Sequence, residues 1–139
     1  MKFTWINVAL GLLLLVAACS KEQRTINRLE GDWQVVAFKK NGADLPDSLY
    51  KELFFSFRAC KAKDFDYCDG AMTRVTAAGT RVTDFKYSIG DNGKDFLIEY
   101  VSLTLEPTKG VIKRQTRKQL VWEYTNSRNE LHEMTFAKF

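Results

Sequence analysis

Eight runs rich in Val, Ile, Phe, Tyr, Trp and Thr, set apart at regular intervals by turn residues, take up almost all of the chain after Leu29. They are Trp33 to Lys40, Leu53 to Lys61, Tyr67 to Thr76, Arg81 to Ile89, Phe96 to Leu105, Val111 to Thr116, Gln119 to Thr125 and Glu130 to Lys138. β-Branched and aromatic side chains suit a pleated, half-buried surface, so this spacing predicts eight strands and little else. The connections carry turn chemistry. Asp91-Asn92-Gly93 can take positive φ at consecutive positions and so predicts a tight hairpin between the fourth and fifth strands. Pro107 presets φ for a turn that Gly110 ends, and Ala78-Gly79 and Asn126 to Asn129 punctuate the chain elsewhere. Only the first connection is long: Asn41-Gly42 begins a turn, and Pro46 to Tyr50 predicts a short helix with proline in its first turn.

Alternation along the strands separates a dry face from a wet one. Leu120, Trp122 and Tyr124 share a side against Gln119, Glu123 and Thr125, and Phe85, Tyr87 and Ile89 oppose Asp84, Lys86 and Ser88. Strands of this kind joined by short hairpins predict an eight-stranded antiparallel up-and-down β-barrel, with the short helical segment between strands 1 and 2, because closure removes the edges that invite aggregation. A two-sheet sandwich is the competing arrangement, since hairpin signals do not show that the first strand pairs with the last.

The N-terminal part follows other rules. Lys2 gives a positive start, Ile6 to Ala18 is almost uninterrupted hydrocarbon, and Ala17 and Ala18 precede Cys19, which together read as a secretory signal segment over residues 1–18. The apolar run is short for a transmembrane helix, which needs roughly 20 apolar residues. Val16-Ala17-Ala18-Cys19 resembles the lipobox of bacterial lipoproteins, and the resemblance implies cleavage before Cys19 and acylation of its sulfur. Ordinary cleavage at Ala18, or an uncleaved anchor, are the alternatives. Two or three acyl chains would hold the protein at a membrane effectively permanently. By resemblance to the enterobacterial sorting rule, Ser20 in place of Asp implies the outer membrane, and Ser20-Lys21-Glu22 resembles the surface-export tag of Bacteroidetes lipoproteins, so both the periplasmic face and the cell surface stay open. From Glu22 to Arg28 the chain is polar and unpatterned, which predicts a tether over residues 19–28, with Thr25 to Leu29 suited to a short helical turn.

Removing residues 1–18 from 139 leaves 121, enough for one domain with a core and no second one. The 21 Lys and Arg less Lys2, against 17 Asp and Glu, leave a charge of about +3, too mild to argue for nucleic acid. Local clustering is stronger: Lys109, Lys113, Arg114, Arg117 and Lys118 lie within residues 107–122 with no acid among them. Cys60 and Cys68 are spaced to bridge opposite strands of a hairpin in an oxidising compartment, the alternative being two free thiols facing different ways.

At Gly31-Asp32-Trp33 the residues begin to carry a family resemblance. A GxW at the entry of the first strand, after a short helical turn, resembles the opening motif of lipocalins, in which the tryptophan plugs the closed end of the barrel. More closely, Leu29 to Val36, Asn41-Gly42, "FFSFRA", "QLVWEYT" and "LHEMTFAKF" resemble the short lipocalin-like lipoproteins of Bacteroidetes over residues 29–139. The resemblance implies a ligand-binding or filled barrel behind a lipid anchor. The chain departs from the family by stopping at Phe139 in the eighth strand, without the helix that packs beside a typical lipocalin barrel. Thr83-Asp84-Phe85 is similar to the second lipocalin motif but falls inside a strand, and Arg128, in the place where the resemblance would set an arginine stacked on the entry tryptophan, reads as a solvated turn residue.

Catalytic chemistry finds no purchase. The single histidine, His132, sits between Leu131 and Glu133 at an ordinary strand position, and no GxSxG elbow, HExxH pair or phosphate-cradling glycine loop occurs. Asp64, Asp66 and Asp69 fail the calcium-loop template, whose fifth and twelfth positions would be Cys68 and Val75. No catalytic residue, metal or cofactor is expected. Two binding features remain. Lys113, Arg114, Arg117 and Lys118 would surround one hairpin tip, where they either attract anionic lipopolysaccharide or an acidic envelope protein, or simply stay solvated and discourage edge pairing. The aromatic set Trp33, Phe55, Phe57, Phe85, Tyr87, Trp122 and Tyr124 would line the barrel. An interior of eight strands holds either those side chains or one small molecule. The sequence therefore predicts a membrane-anchored barrel binding a small apolar ligand such as an acyl or isoprenoid chain, entering beside Pro46 to Tyr50, with a side-chain-filled interaction module as the alternative.

Overall fold

The computed structural model describes residues 20–139, so Cys19 and the apolar segment before it lie outside the described residues. A helix α1 (Lys21–Leu29) leads into nine strands: β1 (Gly31–Lys40), β2 (Ala43–Asp44), β3 (Leu53–Phe57), β4 (Cys68–Thr76), β5 (Gly79–Ile89), β6 (Asp95–Tyr100), β7 (Thr108–Gln115), β8 (Gln119–Thr125) and β9 (Leu131–Lys138). A 3₁₀ turn, Asp47–Leu49, lies between β1 and β3, where the sequence predicts a short helix. From β3 onward every strand pairs antiparallel with its neighbour in the chain. β1 then closes the sheet on β9, from Trp33 opposite Lys138 to Lys40 opposite His132, with a bulge between Val35 and Ala37. The result is a closed barrel of eight strands, with β2 appended to the end of β1. The sandwich alternative is thereby removed.

Turn chemistry explains the hairpins, with one correction. Asn41 (φ 50°) and Gly42 (φ 82°) both take the left-handed conformation that a two-residue hairpin loop of the mirror-image type needs. In the loop between β5 and β6, by contrast, only Gly93 has positive φ (71°). Asn92 does the rest with its side chain, its Oδ1 accepting from the N–H groups of Lys94 at 2.8 Å and Asp95 at 3.0 Å. Two strands are shorter than the sequence predicts. β3 leaves the sheet after Phe57, and β6 gives way after Tyr100 to a loop organised by Ser102 and Thr104.

The segment expected to be a tether with a short helical turn from Thr25 to Leu29 is helical from Lys21 onward as α1, packed across one end of the barrel. Ser20 caps it, its Oγ accepting from the Gln23 N–H at 3.0 Å. Thr25, Ile26 and Leu29 form the buried side. Three residues make too brief an apolar stripe to stand out in a polar sequence, which is why the segment reads as unpatterned. The Thr25 hydroxyl donates to the Gly93 carbonyl at 2.7 Å, and the Gln115 amide donates to the Thr25 carbonyl at 3.2 Å, so the helix is fastened to two hairpins.

Cys60 and Cys68 are joined as a disulfide, with Cα atoms 5.7 Å apart, at the same end. The loop it closes is docked on α1, because Gln23 donates to the Cys60 carbonyl and accepts from the Ala62 N–H, both at 2.8 Å. Replacing both cysteines by serine is expected to cost up to about 2.5 kcal/mol, the chain-entropy value for a loop of roughly nine residues. Thermal unfolding with and without reductant would measure it, and wild type in reductant should match the double variant.

Candidate functional site

The up-and-down path sorts the connections into two ends. α1, the β3–β4 loop, the β5–β6 and β7–β8 hairpins and the C-terminus lie at the closed end. The β1–β3 connection, the β4–β5 hairpin, the β6–β7 loop and the β8–β9 hairpin ring the open end.

Between the ends the interior is filled. Of the seven aromatic residues expected to line a cavity, Trp33, Phe55, Phe57, Phe85, Tyr87 and Trp122 are all buried and pack on one another. Phe55 joins four of the rings, its centroid 5.3 to 6.4 Å from those of Phe136, Trp122, Phe85 and Phe57. Gly70 makes room for this stack, since a Cβ there would lie 2.3 Å from the Phe85 ring. The void left among Leu29, Phe57, Tyr87, Ile89, Phe96, Ile98, Ile112, Leu120 and Trp122 measures about 10 Å³, no more than one water-sized sphere. Trp33 plugs the floor, its Nε1–H donating to the Leu29 carbonyl at 2.7 Å. Burial, with Glu30 and Asp69 nearby, raises the Tyr87 hydroxyl above its ordinary range, so it stays protonated and acts as packing.

The seventh aromatic, Tyr124, stands at the open end. There the inward positions are half-buried: Phe38, Met72, Tyr100, Tyr124, His132 and Met134. Tyr124 stacks on His132 with ring centroids 5.1 Å apart and 10° between planes, and Phe38 lies 5.4 Å from the same imidazole. Asn126 fixes the histidine tautomer. Its Oδ1 accepts from the Arg128 and Glu130 N–H groups, so its amide nitrogen is the donor to His132 Nε2 at 3.2 Å, and the imidazole proton resides on Nδ1, which is buried without a partner. Burial holds the imidazole below its usual range, leaving it neutral at pH 7. Glu130, hydrogen-bonded by Lys40 and Asn126, is held down to about 2. Around this mouth Leu49, Val101 and Leu103 are exposed, Leu103 completely. The 3₁₀ turn lies at this end and Trp33 at the other.

At the closed end the basic residues separate. Lys113 and Arg114 are on β7, where they line a groove of about 260 Å³ together with Lys21, Arg24 and Arg28 of α1 and Lys94 of the β5–β6 hairpin. Arg117 and Lys118 sit at the adjoining β7–β8 turn and do not line it. Of the six groove cations, Lys94 was not singled out in the sequence, and Lys21, Arg24 and Arg28 escaped it because the segment that forms α1 was taken for a tether. The signal that finds the three on α1 is their spacing, three and four residues apart on one side of a helix. Among the described residues no three His, Cys, Asp or Glu side chains are grouped to hold a metal, and Asp64, Asp66 and Asp69 do not converge.

No protein-family model matches this chain, nor does any curated protein. Solved structures do. A redesigned β-barrel superposes with a TM-score of 0.57 at 18% identity, over 84% of this chain and 96% of the other. Another redesigned barrel, bound to DFHBI, gives 0.54 at 18% identity over 80% and 99%. Bovine odorant binding protein in complex with undecanal gives 0.52 at 15% identity, over 80% of this chain and 71% of its own. In fold, the chain is a lipocalin-like barrel. In this lipocalin-like barrel an aromatic stack occupies the axis.

Proposed function

We propose that the protein is a lipid-anchored, non-catalytic binding module of the bacterial cell envelope, held at the outer membrane through acylated Cys19 and akin to the short lipocalin-like lipoproteins of Bacteroidetes. In this reading the filled barrel is a rigid body, and recognition of an envelope partner takes place on its rim. The observation that carries it is the interior void of about 10 Å³, set against the hundreds of Å³ of a small-molecule pocket. The apolar side chains of Leu49, Val101 and Leu103, presented to solvent around the mouth, supply a surface for such a partner.

A second reading keeps a small apolar ligand but moves it from the axis to the mouth. The half-buried Phe38, Met72, Tyr100 and Tyr124 support it, as do neighbours solved with undecanal or DFHBI. Quenching of tryptophan fluorescence by titrated undecanal and by palmitate, with native mass spectrometry of the same samples, separates the two. The rim-recognition reading predicts no saturable quenching and no ligand mass. A saturable one-to-one response that Tyr124→Ala weakens about tenfold would replace it with the mouth-ligand reading.

A further inference from the structure

We infer that the closed end is a membrane-docking face, on which the groove between α1, the β5–β6 hairpin and β7 receives the phosphates of anionic lipid headgroups. The charge pattern is the first ground. Lys21, Arg24, Arg28, Lys94, Lys113 and Arg114 line one groove. Among the described residues, only Lys113 of these six has a carboxylate within 4.0 Å, Glu123 at 3.8 Å, and its own side chain is half exposed. Six cations brought together with one carboxylate within 4.0 Å repel one another, and a phosphate entering between them reduces that repulsion while accepting charge-assisted hydrogen bonds. Arg117 and Lys118 extend the positive field along the same end of the barrel.

The path of the chain supplies the second ground. α1 begins at Lys21 with Ser20 as its cap, and Cys19 is the residue bonded to that cap, one Cα spacing of about 3.8 Å from it along the chain. No slack intervenes. If Cys19 carries the acyl chains, as proposed above and as this inference assumes for its orientation, the closed end is pressed against the bilayer and the mouth faces away from it. A third ground lies across α1 from the cations. Phe65, 64% exposed, and Tyr67 project from the β3–β4 loop at the same end, the kind of side chain that settles at headgroup level. Phe65 also edges a broad groove beside Ser20, Gln23 and Asn27.

The test uses residues 20–139, which contain α1 and every strand of the closed barrel, so that acylation plays no part in it. Sedimentation with phosphatidylcholine vesicles, with and without phosphatidylglycerol, is compared for wild type, for Arg24→Glu/Arg28→Glu/Lys94→Glu, and for Lys51→Glu/Arg81→Glu/Arg128→Glu at the open end, which makes the same change in net charge. Wild type should bind the anionic vesicles and lose that binding in high salt. The groove variant should bind at least about tenfold more weakly and the open-end variant within about twofold of wild type. Equal losses in both variants, or no preference of wild type for anionic vesicles, would overturn the inference. All six positions except Arg81 lie outside the hydrogen-bonded strands, and all are exposed, so unchanged thermal unfolding is expected to accompany the result. Failure of the acylation reading is seen separately, in the mass of the N-terminal peptide of the mature chain.

Discussion

Replacing Phe55 with alanine should remove about 3–5 kcal/mol of stability, a large share of the 5–15 kcal/mol typical of a domain. The ring is 2% exposed and touches Phe57, Phe85, Trp122 and Phe136, so its loss forfeits both the transfer of an aromatic side chain from water and four ring contacts. The four neighbours sit on β3, β5, β8 and β9, which are held in register by the ladders, and the gap therefore persists instead of closing. Urea unfolding with an unchanged slope would read the loss as a shift in midpoint. A loss under about 1 kcal/mol would mean that the ring borders open space, and the filled-barrel reading would fail with it. The variant has a second expected property. An apolar cavity of aromatic size stays dry and takes up a benzene-sized molecule, so saturating benzene should restore part of the lost stability in Phe55→Ala and none in wild type. One ring then separates a filled barrel from a container.

Trp33→Ala is expected to cost a similar 3–5 kcal/mol, or a fall in Tm of roughly 10–20 °C. Its indole is wholly buried, donates to the Leu29 carbonyl at the end of α1, and lies beneath the Lys138 ammonium 5.2 Å from the ring centroid. Lys138 in turn donates to the Glu30 carbonyl, so one side chain joins β1, the last turn of α1 and the end of β9. Trp33→Phe keeps most of the volume and loses the hydrogen bond, so it should cost only about 1–2 kcal/mol. The two variants also differ in function. Without its floor α1 loosens, Lys21, Arg24 and Arg28 no longer face Lys94 and Arg114, and binding to anionic vesicles should weaken in Trp33→Ala while Trp33→Phe retains it. Thermal unfolding and vesicle sedimentation on the same preparations check both statements.

The strands were legible because their signals are local. Phe85, Tyr87 and Ile89 alternate with Asp84, Lys86 and Ser88 along a few residues, and Asn41-Gly42 sets its turn with its own φ angles. Where a side chain replaced backbone freedom, as Asn92 does, the turn was placed correctly but its conformation was not. The end of β3 at Phe57 was hidden for a different reason, since Arg58 to Lys61 holds no glycine, proline or asparagine to mark a turn and is held against α1 by Gln23, 37 residues away from Cys60 in sequence.

By itself, then, the sequence determined the eight barrel strands and the hairpin order that joins them, because period-two alternation and turn residues act within a few positions of each other, while closure of β1 on β9, which excludes a sandwich, was decided by the tertiary structure. It also named six of the aromatic residues buried at the axis, though not Phe96 or Phe136. Only the tertiary structure decided that those rings fill the axis, because the space they leave depends on how side chains from β3, β5, β8 and β9 meet at one level of the barrel. The same holds for the basic groove: Lys21, Lys94 and Arg114 are brought together by the docking of α1 on two hairpins, and no run of adjacent residues carries that information.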